Sequence, residues 1–197
     1  MSNERLEVVY FATSNRHKLE ELNAALRGCG ARAEPVEAPK LELQGESLEE
    51  IAAAAASLAY SILHRPVAVE DAGLFVEALN GFPGPYSSYV FRTIGYWGLL
   101  KLMDGVEERS AFFKSVVAYA GPWGVKLFTG IVRGFIAYEP RGSKGFGFDP
   151  VFIPEGSDKT FAEMEVEEKN RFSHRAKAAR ALCEWLSRVR GGGQGLS

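Results

Sequence analysis

The chain has 197 residues, 46% hydrophobic and 24% charged, with 23 basic against 25 acidic residues and a net charge of -2. These values exclude a disordered or fibrous chain, and the near balance of charge argues against the nucleic-acid backbone as the main partner. Two cysteines, Cys29 and Cys183, make neither a disulfide framework nor a C-x-x-C zinc pair, and no apolar run reaches the roughly 18 residues of a membrane span, so a soluble protein of a reducing cytoplasm is the simplest expectation.

LEVVYFAT, residues 6–13, is apolar, β-branched and aromatic, and reads as a buried strand. Leu19, Leu22, Leu26 and Cys29 then recur at steps of three and four, which predicts a helix capped by Ser14 or Asn15 and ended by Gly28 or Gly30. Ser47-Leu-Glu-Glu50 matches a capping box and opens a second helix through the alanine-rich stretch before Pro66. PVAVED, residues 66–71, reads as a short buried strand ending in two acids. Residues 73–90 are dense in glycine and proline and should turn sharply, with a helix near 96–103. SAFFKSVVAYAG and VKLFTGIVRGFIAY, separated by Pro122-Trp-Gly124, predict an antiparallel hairpin with a longer loop. A glycine-rich loop covers 141–156. The last helix starts near Ser173, with Ala179, Leu182, Cys183, Leu186 and Val189 on one side. The expectation is an α/β fold, a mixed sheet flanked by helices, in a single domain over 1–190 with a disordered tail at 191–197.

The phosphate loop G-x-x-x-x-G-K-[ST], the dinucleotide fingerprint, H-E-x-x-H and G-x-S-x-G are all absent from the sequence. Four clusters carry what chemistry there is. In FATSNRHK a strand runs through a polar turn into a helix, so free N–H groups with Thr13, Ser14, Asn15 and Lys18 could hold phosphate, or simply cap a helix. Glu70-Asp71 could hold a hard cation or accept a proton from water, and strand alternation should send only one of them into a site. Phe146 and Phe148 could stack on a base or fill core. In EKNRFSHRAK, Lys169, His174 and Arg175 could act as donors around a helix start, or lie on a solvated face; His17 and His64 stand apart as surface residues.

Taken in order, ATSNRHKLEEL, LELQGE, VEDAGLFVEALNGFPGPYS, KGFGFDPVFIP, TFAEM and EEKNRFSHR resemble the inosine triphosphate pyrophosphatase family over roughly residues 8 to 186. The resemblance implies a long twisted mixed sheet, two lobes with a cleft between them, and a homodimer with no nucleic-acid or membrane partner. It implies Mg²⁺-dependent hydrolysis of ITP, dITP and XTP to the monophosphate and pyrophosphate. By resemblance, Thr13, Ser14, Asn15, Arg16, His17 and Lys18 would hold the triphosphate. Glu42 and Asp71 would bind the metal, and Asp71 would accept the proton of the attacking water. Phe146, Gly147, Phe148 and Asp149 would wall the base and sugar, and Lys169, His174 and Arg175 would complete the pocket, with Arg175 donating to a six-oxo group. Ala72 stands where the family commonly has Ser or Thr, leaving only its backbone to contribute. No lysine lies between Ile51 and Leu63, where members carry one toward the phosphates, so either another cation substitutes, Lys40, Lys144 or Arg65, or triphosphate binding is weaker. The rivals are a pyrophosphatase for pyrimidine nucleotides and a non-catalytic nucleotide sensor or RNA-binding module. The Phe146–Phe148 loop opposes the first, and the retained carboxylates oppose the second.

Overall fold

The computed structural model describes residues 6–38 and 43–192. One mixed sheet runs through the molecule. β1 (Glu7–Phe11) lies parallel to β2 (Ala31–Pro35) on one side and touches β3 (Val67–Val76) on the other only through Phe11 and Ala68. β3 continues antiparallel to β5 (Ser110–Gly121), β5 to β6 (Gly124–Ile136), and β6 to β7 (Phe152–Pro154), giving the order β2-β1-β3-β5-β6-β7. The two-residue β4 (Pro83–Gly84) pairs with Leu74 and Phe75 of β3.

β3 is five residues longer at its C-terminal end than the sequence suggested. Its ladder with β5 persists from Val67–Ala120 to Val76–Ala111, because Leu74 and Val76 continue the buried alternation past the acids. Glu70 and Asp71 therefore sit within a strand rather than at its end. What ends near them is the pairing on the other edge: β1 leaves β3 after Ala68, and β4 joins only at Leu74. The sheet opens in that gap. The β5–β6 hairpin is also tighter than expected, since Gly121 pairs directly with Gly124, whose φ of 86° suits glycine.

α1 (Arg16–Leu26) starts at Asn15, whose side chain accepts from the Lys18 N–H at 3.2 Å. α2 (Leu48–Leu63) is capped by Ser47, which accepts from the Glu50 N–H at 3.3 Å. α3 (Ser87–Thr93) and α4 (Gly95–Leu102) follow β4, and α5 (Val166–Phe172) precedes α6 (His174–Gly192). The start of the last helix near Ser173 is as expected, whereas the short α5 before it was not anticipated. Ser173 separates them and caps the second by accepting from the Ala176 N–H at 3.3 Å. α6 extends through Gly192, so the first two residues of the expected tail at 191–197 are helical, while 193–197 lie outside the described residues.

The strand period divides the core. On β5, Val116, Ala118 and Ala120 pack with Leu48, Ala52 and Ala56 of α2, while Val117 and Tyr119 pack with Leu22 and Leu26 of α1 and Leu182 and Leu186 of α6. A third cluster gathers Leu74, Phe113, Phe152 and Phe161. Val189, expected on the inner face of α6, is 52% exposed, one turn beyond where α1 can cover it. Packing of α1 on α6 also brings Cys29 and Cys183 to a Cα separation of 6.1 Å, and they form a disulfide. The sequence alone offered no partner assignment for either cysteine.

Candidate active site

The gap in the sheet is the floor of a cleft of about 1360 Å³. Its walls are the β1–α1 turn, α2, the middle of β3, α3, residues 146–149 and the start of α6. Thr13, Ser14, Asn15, Arg16 and Lys18 all face it. The turn is held from within: the Asn15 N–H donates to Thr13 Oγ1 at 3.2 Å, and the Ala12 N–H donates to the Ala68 carbonyl at 2.8 Å. His17 does not line the cleft; its exposed ring stacks on Phe146 with centroids 5.5 Å apart.

Behind the cleft wall lies a chain of alternating charges. Lys18 Nζ donates to the Glu70 carbonyl at 3.1 Å and stands 2.8 Å from Glu70 Oε2. Glu70 Oε1 accepts from Ser115 Oγ at 2.6 Å and from Arg175 Nε at 3.1 Å. Arg175 Nη1 donates to Glu21 Oε2, and Glu21 Oε1 accepts from Lys169 Nζ at 2.6 Å. Lys169 reaches on to Asp149 Oδ2 at 2.6 Å, which also accepts from the Phe146 N–H at 2.9 Å. Burial alone would push Glu70 up, but Arg175 and Lys18 outweigh it and hold the carboxyl well below the usual range. Glu21 is likewise lowered, with Arg175 and Lys169 overcoming burial. Asp149 goes the other way: complete burial pushes it up despite Lys169.

Asp71 differs from these three carboxylates. It lines the cleft, its Oδ1 accepts from the Ala72 N–H at 3.0 Å, and it forms no ion pair among the described residues. Burial raises its pKa, with Lys18 opposing and Glu70 adding to the rise. Ala72 contributes its backbone to the same wall. The two acids divide as strand alternation predicts: Asp71 lines the cleft with its side chain, while the Glu70 carboxylate is spent in the buried chain, where it holds Lys18. Glu42 and Lys40 lie outside the described residues.

Gly147 lines the cleft. Phe146 is half-buried, with Lys169 Nζ 5.4 Å and Arg175 Cζ 5.3 Å from its ring centroid. Phe148 is core, packed edge-on to Phe91 at 5.5 Å, although it too touches the cleft. Asp149 and Lys169 act as struts, and Lys169 is not among the cleft-lining residues. His174 lines the cleft, stacks on Phe113 at 4.7 Å with planes 9° apart, and is held neutral by burial and by Arg175 and Lys169. Its Nδ1 has no hydrogen-bond partner.

Residues 9–185 match the Ham1 family. The chain belongs to the Ham1 family. It is 66% identical over 179 residues to a dITP/XTP pyrophosphatase of Hyperthermus butylicus, covering 91% of this chain and 94% of the relative. It is 56% identical to a dITP/XTP pyrophosphatase of Methanopyrus kandleri, covering 90% and 95%. The Ham1 protein of Staphylococcus aureus superposes with a TM-score of 0.80 at 29% identity, covering 93% of this chain and all of that one, and the Ham1 protein of Coxiella burnetii with 0.80 at 30%, covering 92% and 99%.

Within this Ham1 fold, two buried residues escaped the sequence reading. Glu21 lies on the α1 face that also buries Leu22 and Ala25, an acid where the helical period calls for an apolar residue, and that mismatch was the available signal. Ser115 sits in a strand of small and apolar residues and gave none. Of the three stand-ins for an α2 lysine, the two that are described do not line the cleft: Arg65 covers the Tyr10 ring at 3.9 Å and Lys144 pairs with Glu165 at 2.5 Å.

Proposed function

We propose that this Ham1 protein hydrolyses deaminated purine nucleoside triphosphates, ITP, dITP and XTP, between the α- and β-phosphates, releasing the monophosphate and pyrophosphate. The observation that carries the reading is Asp71: an ion-pair-free, partly buried carboxylate in the same cleft as Lys18 and the open β1–α1 turn. The names of relatives up to 66% identical supply the substrate class. Turn N–H groups and Lys18 hold phosphate, with Glu70 fixing the lysine. Asp71 orients water toward the α-phosphorus and takes its proton, and its raised pKa makes it a better base than a free aspartate. The base stacks on Phe146, and a six-oxo group meets Arg175 Nη2, the guanidinium nitrogen without a protein partner.

The donor set fits Mg²⁺. Asp71 offers a hard oxygen not spent on a cation, whereas Glu70, Glu21 and Asp149 are each paired, and Glu42 is proposed as the second carboxylate. When bound, Mg²⁺ would neutralise charge on the phosphates and the leaving pyrophosphate. No helix among the described residues is long and apolar enough to cross a membrane. We assign the enzyme to the cytoplasm, as a homodimer without nucleic-acid or membrane partners. A panel of ITP, dITP, XTP, GTP, ATP and pyrimidine triphosphates with Mg²⁺ should yield pyrophosphate from the deaminated purines. Release of orthophosphate and diphosphate would overturn the assigned bond.

A further inference from the structure

Four cationic side chains line the cleft among the described residues: Arg16, Lys18, Arg92 and Arg175. Two of them are already neutralised, Lys18 by Glu70, and Arg175 by Glu70 and Glu21. With Lys169 and Asp149 added, the buried chain holds three cations and three carboxylates and presents no net charge. In the remainder of the cleft lining Asp71 and Glu37 balance Arg16 and Arg92. A nucleoside triphosphate carries about four negative charges near neutral pH, and phosphate recognition depends on cations that are free to pair. Only Arg16 and Arg92 line the cleft without a carboxylate partner among the described residues. Arg16 opens α1 beside the phosphate turn. Arg92 stands on α3, a separate wall, exposed, and tethered only through Nε to the Ser88 carbonyl at 3.4 Å. α3 is itself fixed by Ser87, whose Oγ accepts from the Leu74 N–H at 2.8 Å and donates to the Gly84 carbonyl at 2.7 Å, so an exposed guanidinium sits on an anchored helix.

We propose that Arg92 binds the terminal phosphates of the nucleotide and the pyrophosphate they become. This rests on the pyrophosphatase reading for the identity of the substrate. The geometry supplies the role: a guanidinium without a carboxylate partner among the described residues lines the same cleft as the β1–α1 turn proposed to hold the anion. Pyrophosphate and inosine monophosphate binding, measured calorimetrically with Mg²⁺, separate the two ends of the substrate. Arg92→Gln should weaken pyrophosphate roughly tenfold, the scale of one charge-assisted hydrogen bond, and leave the monophosphate unchanged. Arg92→Lys should recover part of the loss as a point charge. Arg65→Gln, off the cleft, should change neither. Unchanged pyrophosphate affinity in Arg92→Gln, an equal loss of the monophosphate, or an equal loss in Arg65→Gln would each overturn the proposal. Arg92-dependent pyrophosphate binding in a protein that leaves every deaminated purine triphosphate intact would sink the pyrophosphatase reading while upholding this one.

Discussion

Asp71 and Arg175 show how differently one charge can be used. Asp71 is unpaired and its pKa is raised by burial, so kcat/KM should fall as pH drops through a value above the ~3.9 of a free aspartate. Asp71→Asn should lose that acid limb and lower kcat roughly a hundredfold or more, in a pH series on dITP. Near wild-type turnover would remove Asp71 from the reaction. Arg175 was legible as a cation at a helix start, but its neighbours were not. Glu21 and Glu70 lie 154 and 105 residues away, and no local pattern announces them. The expectation that Arg175→Ala would impair ITP far more than ATP treats the residue as a free donor. In the structure its removal strips a partner from two buried carboxylates, which costs roughly 3–5 kcal/mol. Thermal melts should show that loss, and kcat/KM should fall for both ITP and ATP, with ITP falling further because only its six-oxo group can accept from Nη2; equal losses would remove that base contact, and a variant that melts like wild type would mean the buried chain tolerates the gap.

At the scale of elements, the periodic segments were readable and their ends were not. α1, α2 and the β5–β6 pair follow from apolar spacing and caps. The overrun of β3 does not, because the strand is sustained by its ladder with β5 after its own polar residues argue for a turn. The site depends on that overrun, since Asp71 is fixed by pairing with Val116 on one edge while the other edge is open. A second requirement lies in β6, where a Cβ on Gly130 would come within 2.0 Å of the His174 carbonyl and 2.6 Å of the Ala178 nitrogen. β6 thus touches the first turn of α6 backbone to backbone. Gly130→Ala should cost about 3 kcal/mol, the upper end of overpacking, because backbone cannot rotate away as a side chain can. It should also shift His174 and Arg175, so a denaturant melt and substrate KM should worsen together. A stable variant with normal KM would show that α6 can slide.

Across the whole molecule, the Cys29–Cys183 bond joins the first helical layer to the last helix, between cysteines 154 positions apart in the sequence. The sequence argued from cysteine count to a reducing compartment, and the count could not show that α1 packs on α6. Closing a loop of that length is worth ~5 kcal/mol by the chain-entropy account, or roughly 10–20 °C in Tm for a chain of this size. Cys183→Ser, or wild type under strong reductant, should melt lower by that order, and an unchanged Tm would show that the bond does not stabilise the fold. The same bond turns most of the polypeptide into a covalent ring. A protease that cuts once inside it, at an exposed turn such as 142–145, would leave both fragments tethered. On a non-reducing gel the nicked protein would keep its full mass, and only added thiol would release two pieces. Damage by a single cut would then separate nothing, and the helices that carry Lys18 and Arg175 would stay fastened to each other after the chain between them had been broken.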